Sequence, residues 1–197
     1  MDADAFWALI EQSGRETRTQ KRRLIWLDAQ LSELPADDII DFQMWLDVCE
    51  YRSNTWELWV AYLLTLPLGS DDGFLYFRYW LVGLGRGTFE RVVADPDTLI
   101  EVPEVLHLWK VIRKRAGKKR LWTDDEWPEF ELLAYVAWEP YKKRTGLDLT
   151  TLHEKAHART DLDDDDYEIR GEQWIIDSEE ELTRRFPRIA YYREGRT

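Results

Sequence analysis

The stretch from Ser70 to Leu81, Ser-Asp-Asp-Gly-Phe-Leu-Tyr-Phe-Arg-Tyr-Trp-Leu, constrains the fold of this chain more than any other. A hydroxyl, two carboxylates and a glycine open a segment that is otherwise apolar or aromatic except for Arg78. A serine before a helix satisfies an orphan N–H, and acids in the first turn complement the positive helix end. Phe74, Phe77 and Leu81 fall on one face, and Tyr76, Trp80 and Leu84 on another. A helix apolar on every side belongs in the middle of a domain. Its one charge, Arg78, then needs a partner, because a lone buried guanidinium is very costly. Asp71, Asp72 and Glu57 are the candidates, as a structural ion pair or as the mouth of a small-ligand pocket.

The flanking segments read as helices. Asp2 and Asp4 precede Phe6, Leu9 and Ile10, with an end near Gly14. Thr17 and Gln20 make a capping box before Leu24, Leu27, Leu31 and Leu34, and Pro35 ends that helix and opens the next. Ile39, Ile40, Phe42, Leu46 and Cys49 line the third. Asn54 and Glu57 repeat the capping pattern before Trp56, Trp59, Val60, Leu63 and Leu64, and Pro67-Leu68-Gly69 breaks the helix. Residues 54–66 and 71–84 are therefore expected to form a central buried hairpin. A short helix runs from Phe89 to Ala94, and Asp95-Pro96-Asp97 is a turn. Helices are expected over 103–115 and 127–145, the second kinked or shortened by Pro140 and capped at Gly146. Ser178 and Glu181 cap a terminal helix that Pro187 stops.

These signals predict an all-α fold, a single compact bundle of about seven to nine helices, over residues 1–160. Residues 161–197 are expected to form an irregular acidic tail with a short terminal helix that packs back on the bundle. Asp163 to Asp166 are expected to be exposed unless they meet basic residues.

The net charge of −12 argues against general nucleic-acid binding, since phosphate contact needs a positive field. One cysteine excludes an internal disulfide and points to a reducing, cytoplasmic setting. The acidic start shows no signal peptide, and no stretch is long enough to span a membrane.

The central motif, followed by Gly85, Phe89 and Asp95-Pro96-Asp97-x-Leu99, resembles a bacterial family known as domain of unknown function 4240. Phe6-Trp7-x-x-Ile10 and Phe186-Pro187-Arg188-Ile189 add to the resemblance. It implies a small, mostly helical bacterial protein and brings no activity. The segments Arg113 to Arg120 and Thr150 to Asp166 depart from the family pattern.

The sharpest chemical motif is His153-Glu154-Lys155-Ala156-His157. Histidines four apart on a helix share a face and can both reach one zinc ion, with Glu154 placed to polarise a bound water as general base. The bland reading is that Thr151 and Glu154 form a capping box on a short helix from about Leu152. No other cofactor is expected. Lys110, Arg113, Lys114, Arg115, Lys118, Lys119 and Arg120 form a basic run, either an anion-binding strip or a solvated helix end. Thr123 and Glu126 also make a capping box between Trp122 and Trp127, but Pro128 falls too deep for that helix, so one reading must give way. Cys49 reads as a core residue, and His107 as a satisfied, partly buried histidine.

No complete catalytic constellation emerges. With strong acidity and eleven tryptophans, the leading expectation is a non-enzymatic interaction factor of the immunity, defence or accessory kind. It would bind another protein through an acidic, tryptophan-containing face. A zinc hydrolase using His153, Glu154 and His157 is the alternative, and a ligand pocket at the start of the Ser70–Leu81 helix is the second.

Overall fold

The computed structural model describes residues 1–66, 70–114, 123, 126–162, 168–173 and 178–195, with Lys114 described by its backbone alone. The fold is all-α. Among the described residues, nine α-helices lie within 1–160: α1 (Ala3–Glu16), α2 (Gln20–Ser32), α3 (Ala36–Ser53), α4 (Trp56–Thr65), α5 (Asp71–Gly83), α6 (Arg86–Ala94), α7 (Pro103–Lys114), α8 (Trp138–Thr145) and α9 (Leu149–His157). Two more, α10 (Glu179–Arg185) and α11 (Pro187–Arg193), follow, and 3₁₀ turns cover Pro96–Glu101 and Glu131–Tyr135. Among the described residues the only β pairing is a parallel bridge between Thr55 and Arg170.

α5 forms as its sequence dictates. The Ser70 hydroxyl accepts from the Gly73 N–H at 3.1 Å, and Asp71 and Asp72 occupy the first turn. Phe74, Phe77 and Leu81 are buried, and the two phenylalanines meet rings of α4. Trp59 lies 4.9 Å from Phe74, and Tyr62 lies 4.9 Å from Phe77. Such tilted and edge-on ring pairs add to the area they bury.

Two other caps sit one or two residues from their expected positions. Thr19 caps α2, accepting from Arg22 N–H at 3.4 Å. Thr17 instead donates to the Ser13 carbonyl at 2.9 Å, and Gln20 donates to the Glu129 carbonyl at 2.8 Å. Thr55 caps α4, because Asn54 is engaged elsewhere: its side chain donates to the Glu168 carbonyl at 3.1 Å. A capping side chain with a long-range partner leaves the helix start to its neighbour.

The single helix expected over 127–145 is absent. The Glu126 carboxylate accepts from Thr123 N–H at 2.7 Å, which is half of a capping box, but no α-helix follows. Pro128 is buried in an irregular turn, and the chain resumes as the Glu131–Tyr135 turn and then α8. Pro140 is the third residue of α8, where a missing N–H leaves no helical bond unmade. Gly146 caps α8 in the left-handed conformation, at φ 74°.

The described part of the tail packs on the bundle and carries two helices rather than one. Leu182, Phe186, Ile189 and Ala190 join the same hydrophobic core as Phe6, Leu58 and Leu99. The Asp97 carboxylate, 3 % exposed, accepts from the N–H groups of Arg188 at 2.8 Å and Ile189 at 2.9 Å. The turn motif Asp95-Pro96-Asp97 thereby caps the motif Phe186-Pro187-Arg188-Ile189 across 91 residues. Arg170 exchanges backbone hydrogen bonds with Asn54 and Trp56 and stacks over Tyr51 at 3.8 Å. Asp163 to Asp166 lie outside the described residues.

Candidate functional site

The groups that bear on chemistry gather along α5. At its start, Gly73 is required by close approach: a Cβ there would lie 2.7 Å from the Tyr62 hydroxyl and 3.0 Å from Glu129 Oε1. Trp127 Nε1 donates to the same carboxylate oxygen at 2.7 Å. The Tyr62 hydroxyl is buried without a well-formed hydrogen bond. Burial first, then the Glu129 charge, pushes its pKa up to about 12, against the Ser70 backbone.

Arg78, 6 % exposed, does not pair with Asp71, Asp72 or Glu57. It forms an ion pair with Glu50 of α3, donates from Nη1 to the Glu50 carbonyl at 3.2 Å, and covers the Phe74 ring at 5.1 Å. Asp71 and Asp72 lie seven and six residues away on the same helix, about 9–10.5 Å along its axis. α3 runs alongside and offers a nearer carboxylate. Asp71 and Asp72 are exposed. Glu57 faces the tail, where a Cβ on Gly171 would come 3.1 Å from its Oε2.

Around this pair lies a polar cluster from three helices. Gln43 Nε2 donates to Asp47 Oδ1 at 2.8 Å, and His153 Nδ1 of α9 stands 4.0 Å from Asp47 Oδ2. Burial pushes the Asp47 carboxyl up to about 7; the Gln43 hydrogen bond opposes this and the Glu50 charge adds to it. Burial lowers the His153 pKa. Burial, then Glu50 and Asp47, hold the Tyr79 hydroxyl well above the usual phenol range.

Tyr79, half-buried against the core, continues a stripe of α5 that runs out to solvent at Asp72. Asp72, Tyr76 and Tyr79 are spaced four and three residues apart, so they share one face. The Phe130 N–H donates to the Tyr76 carbonyl at 3.0 Å and holds the Glu131–Tyr135 turn against this stripe. The Glu131 carboxylate stands near the Tyr76 hydroxyl, and its charge raises the Tyr76 pKa. Leu132 and Tyr135 on that turn are 58 % and 46 % exposed. The result is a face of carboxylates, tyrosines and one leucine. Its tyrosine spacing is readable in the sequence, but the Glu131 turn beside it is hidden by the helix expected there.

Tryptophan does not make this face. Trp7, Trp80 and Trp109 are buried, and Trp26, Trp45, Trp56, Trp59, Trp127 and Trp138 are half-buried. Trp122 and Trp174 lie outside the described residues.

The His153-Glu154-x-x-His157 segment sits on α9, which starts at Leu149. Its cap is Asp148, whose Oδ1 accepts from the Thr151 N–H at 2.9 Å and the Thr151 hydroxyl at 2.8 Å. The expected Thr151–Glu154 box is corrected: Asp148 lies one turn earlier and takes the cap. Glu154 is exposed, and His153 faces Asp47. Among the described residues no three His, Cys, Asp or Glu side chains are grouped to hold a metal ion.

Of the basic run, Lys110 is exposed. Arg113 donates to the carbonyls of Tyr192 at 3.1 Å and Arg193 at 2.8 Å, a cation on a helix C-terminus. The Lys114 side chain, Arg115, Lys118, Lys119 and Arg120 lie outside the described residues. Cys49 is 3 % exposed and burial pushes its thiol up to about 12, which makes it a core residue and not a nucleophile.

His107 is exposed rather than partly buried. It lines, with Pro103, Glu104, Glu126 and Trp80, a cavity of about 330 Å³. A second cavity of about 310 Å³ shares Trp80 and Glu104 and extends to Arg18, Arg23 and Phe130. Sequence reasoning misses both, because their walls come from separate helices and from the irregular segment around Phe130. Among the described residues no helix is long and apolar enough to cross a membrane.

A model of a family described as protein of unknown function (DUF4240) matches residues 1–143, which includes α5 and its motif and ends before Phe186-Pro187-Arg188-Ile189. No curated protein and no solved structure matches the chain.

Proposed function

The chain belongs to the DUF4240 family, and we propose that it is a protein-interaction factor that docks a basic, helical segment of another protein on the tyrosine-bearing face of α5. The observation that carries this reading is the grouping of Asp72, Tyr76, Glu131, Leu132 and Tyr135 on one side of the molecule. Tyrosine supplies large contact area at low entropic cost, and interface centres favour aromatic residues. The carboxylates around it select a cationic partner and speed its approach, as does the chain's net charge of −12. Arg78 neutralises Glu50 behind this face and leaves Asp72 and Glu131 to the partner.

The test is titration of isotope-labelled protein with a synthetic lysine- and arginine-rich amphipathic helix. Amide shifts are expected at 72–79 and 131–135, with affinity falling as salt rises. Glu131→Lys and Asp72→Lys should each weaken binding about tenfold, and Tyr135→Ala at least as much. Shifts confined to other surfaces, or binding unchanged by both charge reversals, would remove this reading.

A further inference from the structure

The cavity between α1, α2 and α5 has a charge opposite to that of the protein. Its described charged lining is Arg18, Arg23 and Glu104, in a chain of net charge −12. Arg23 is fixed in place: Nε donates to the Ser13 hydroxyl at 3.1 Å, and Nη2 to the Ile10 carbonyl at 3.1 Å and the Ser13 hydroxyl at 3.0 Å. Its guanidinium lies over Phe130 at 5.5 Å. Gly83 makes room for it, since a Cβ there would sit 3.3 Å from Nη1 and from Phe130 Cδ1. Among the described residues Nη1 has no acceptor, and no carboxylate pairs with Arg23 or Arg18. A half-buried guanidinium with a free N–H beside a cavity asks for an anion, and its planar fork suits a carboxylate.

The remaining walls set the rest of the ligand. Trp80, Leu84 and Phe130 are apolar, and the volume of about 310 Å³ is that of a small-molecule site. Glu104 at the shared edge repels a second negative charge. We propose that this cavity binds a small organic monocarboxylate with a flat apolar body. The carboxylate meets Arg23 and Arg18, and the body lies against Trp80 and Phe130.

The proposal is independent of the α5 docking face and is tested on the full chain by magnetic resonance. The probes are phenylacetate, phenethylamine and inorganic phosphate. Phenylacetate is expected to shift the Trp80 indole N–H and the Arg23 Nε–H saturably, while phenethylamine leaves both in place. Arg23→Gln also removes bonds to α1 and is expected to loosen the fold, so two exposed positions carry the test. Arg18→Gln should weaken phenylacetate about tenfold, the scale of one hydrogen bond to a charged group, and Glu104→Gln should tighten it several-fold. No shift with phenylacetate, equal binding of phenethylamine, or affinity unchanged in both variants would overturn the proposal. Phosphate binding as tightly as phenylacetate would overturn the role of the apolar walls.

Discussion

Arg78 of α5 reaches Glu50 of α3 twice, through the carboxylate and through the backbone carbonyl at 3.2 Å. The one charge of an otherwise apolar stretch thus fixes that helix to its neighbour. Both side chains are largely buried, at 8 % and 21 % exposure. A pair so placed is costly to break from one side, because the survivor keeps its desolvation penalty.

Arg78→Met should therefore destabilise the protein by about 3–5 kcal/mol, and Glu50→Gln by a similar amount. The double variant Arg78→Met/Glu50→Leu should recover much of the loss, since a packed apolar pair carries no buried charge. Asp71→Asn and Asp72→Asn should each cost no more than about 1 kcal/mol, the size of a helix-dipole contribution. Denaturant unfolding of the set checks this; Asp71→Asn as costly as Glu50→Gln would contradict the pairing.

Asp47 gives a pH dependence of definite sign. Its folded pKa, about 7, lies above the ordinary value of 3.8, so the folded state holds a proton that the unfolded state has released. Stability from this group is full below about pH 4 and falls as pH rises to about 7. Asp47→Asn keeps an acceptor for Gln43 and removes the titration. The variant should match wild type near pH 4 and exceed it by about 1–2 kcal/mol above pH 7, discounted for the quarter of the side chain that meets solvent. Melting curves from pH 4 to 8 measure the difference, and the same comparison in a His153→Gln background removes the opposing slope of His153, whose pKa burial lowers. A constant difference across that range would refute the assignment.

Gly73→Ala should be destabilising although alanine is the better helix former. The added methyl meets the Tyr62 hydroxyl at 2.7 Å and Glu129 Oε1 at 3.0 Å, and overpacking of this kind costs about 1–3 kcal/mol. Tyr62→Phe removes the nearer atom, whose buried hydroxyl has no well-formed bond to lose. The Gly73→Ala/Tyr62→Phe pair should then be more stable than Gly73→Ala alone. Additive losses in a double-mutant cycle would show the contact to be unimportant.

Asp97→Ala should unseat α11. It leaves the N–H groups of Arg188 and Ile189 without their acceptor and removes a partner of the Arg188 guanidinium. A buried donor left unmatched costs about 1–3 kcal/mol. Hydrogen exchange should accelerate over 188–193 more than over α5. Uniform acceleration, or none, would argue that α11 is held by its apolar contacts alone.

For the His153 and His157 pair the expected result is no stoichiometric zinc and a melting curve indifferent to chelator. Metal bound to the native state alone would raise stability. One zinc per chain, lost in His157→Ala, would move the hydrolase reading ahead of the interaction reading.

Much of α5 is legible in the amino-acid order alone. Ser70, the acids after it and the apolar spacing fix a buried helix, because caps and periodicity act within a few residues. Ser178 capping α10 and Gly146 ending α8 are equally local. Asp148 escapes notice as a cap because Thr151 and Glu154 carry the stronger pattern, and that pattern holds no information on the turn at which the backbone enters the helix. The 127–145 segment fails for a related reason. Its apolar residues suit a helix, but Pro128 and the Phe130 bond to Tyr76 divide it, and Pro140 is accommodated in the first turn of α8.

The sequence by itself determined that the chain is helical, that α5 is central and that Arg78 is buried and must be paired. Only the tertiary structure decided which carboxylate answers Arg78, which carboxyl meets His153, and which residues stand around Trp80. Helix formation depends on neighbours three and four positions away, whereas an ion pair or a cavity depends on which helices come to lie side by side. Glu50 and Arg78 are 28 residues apart, and Asp97 and Arg188 are 91 apart. Those distances close only when the apolar faces of the whole bundle have packed.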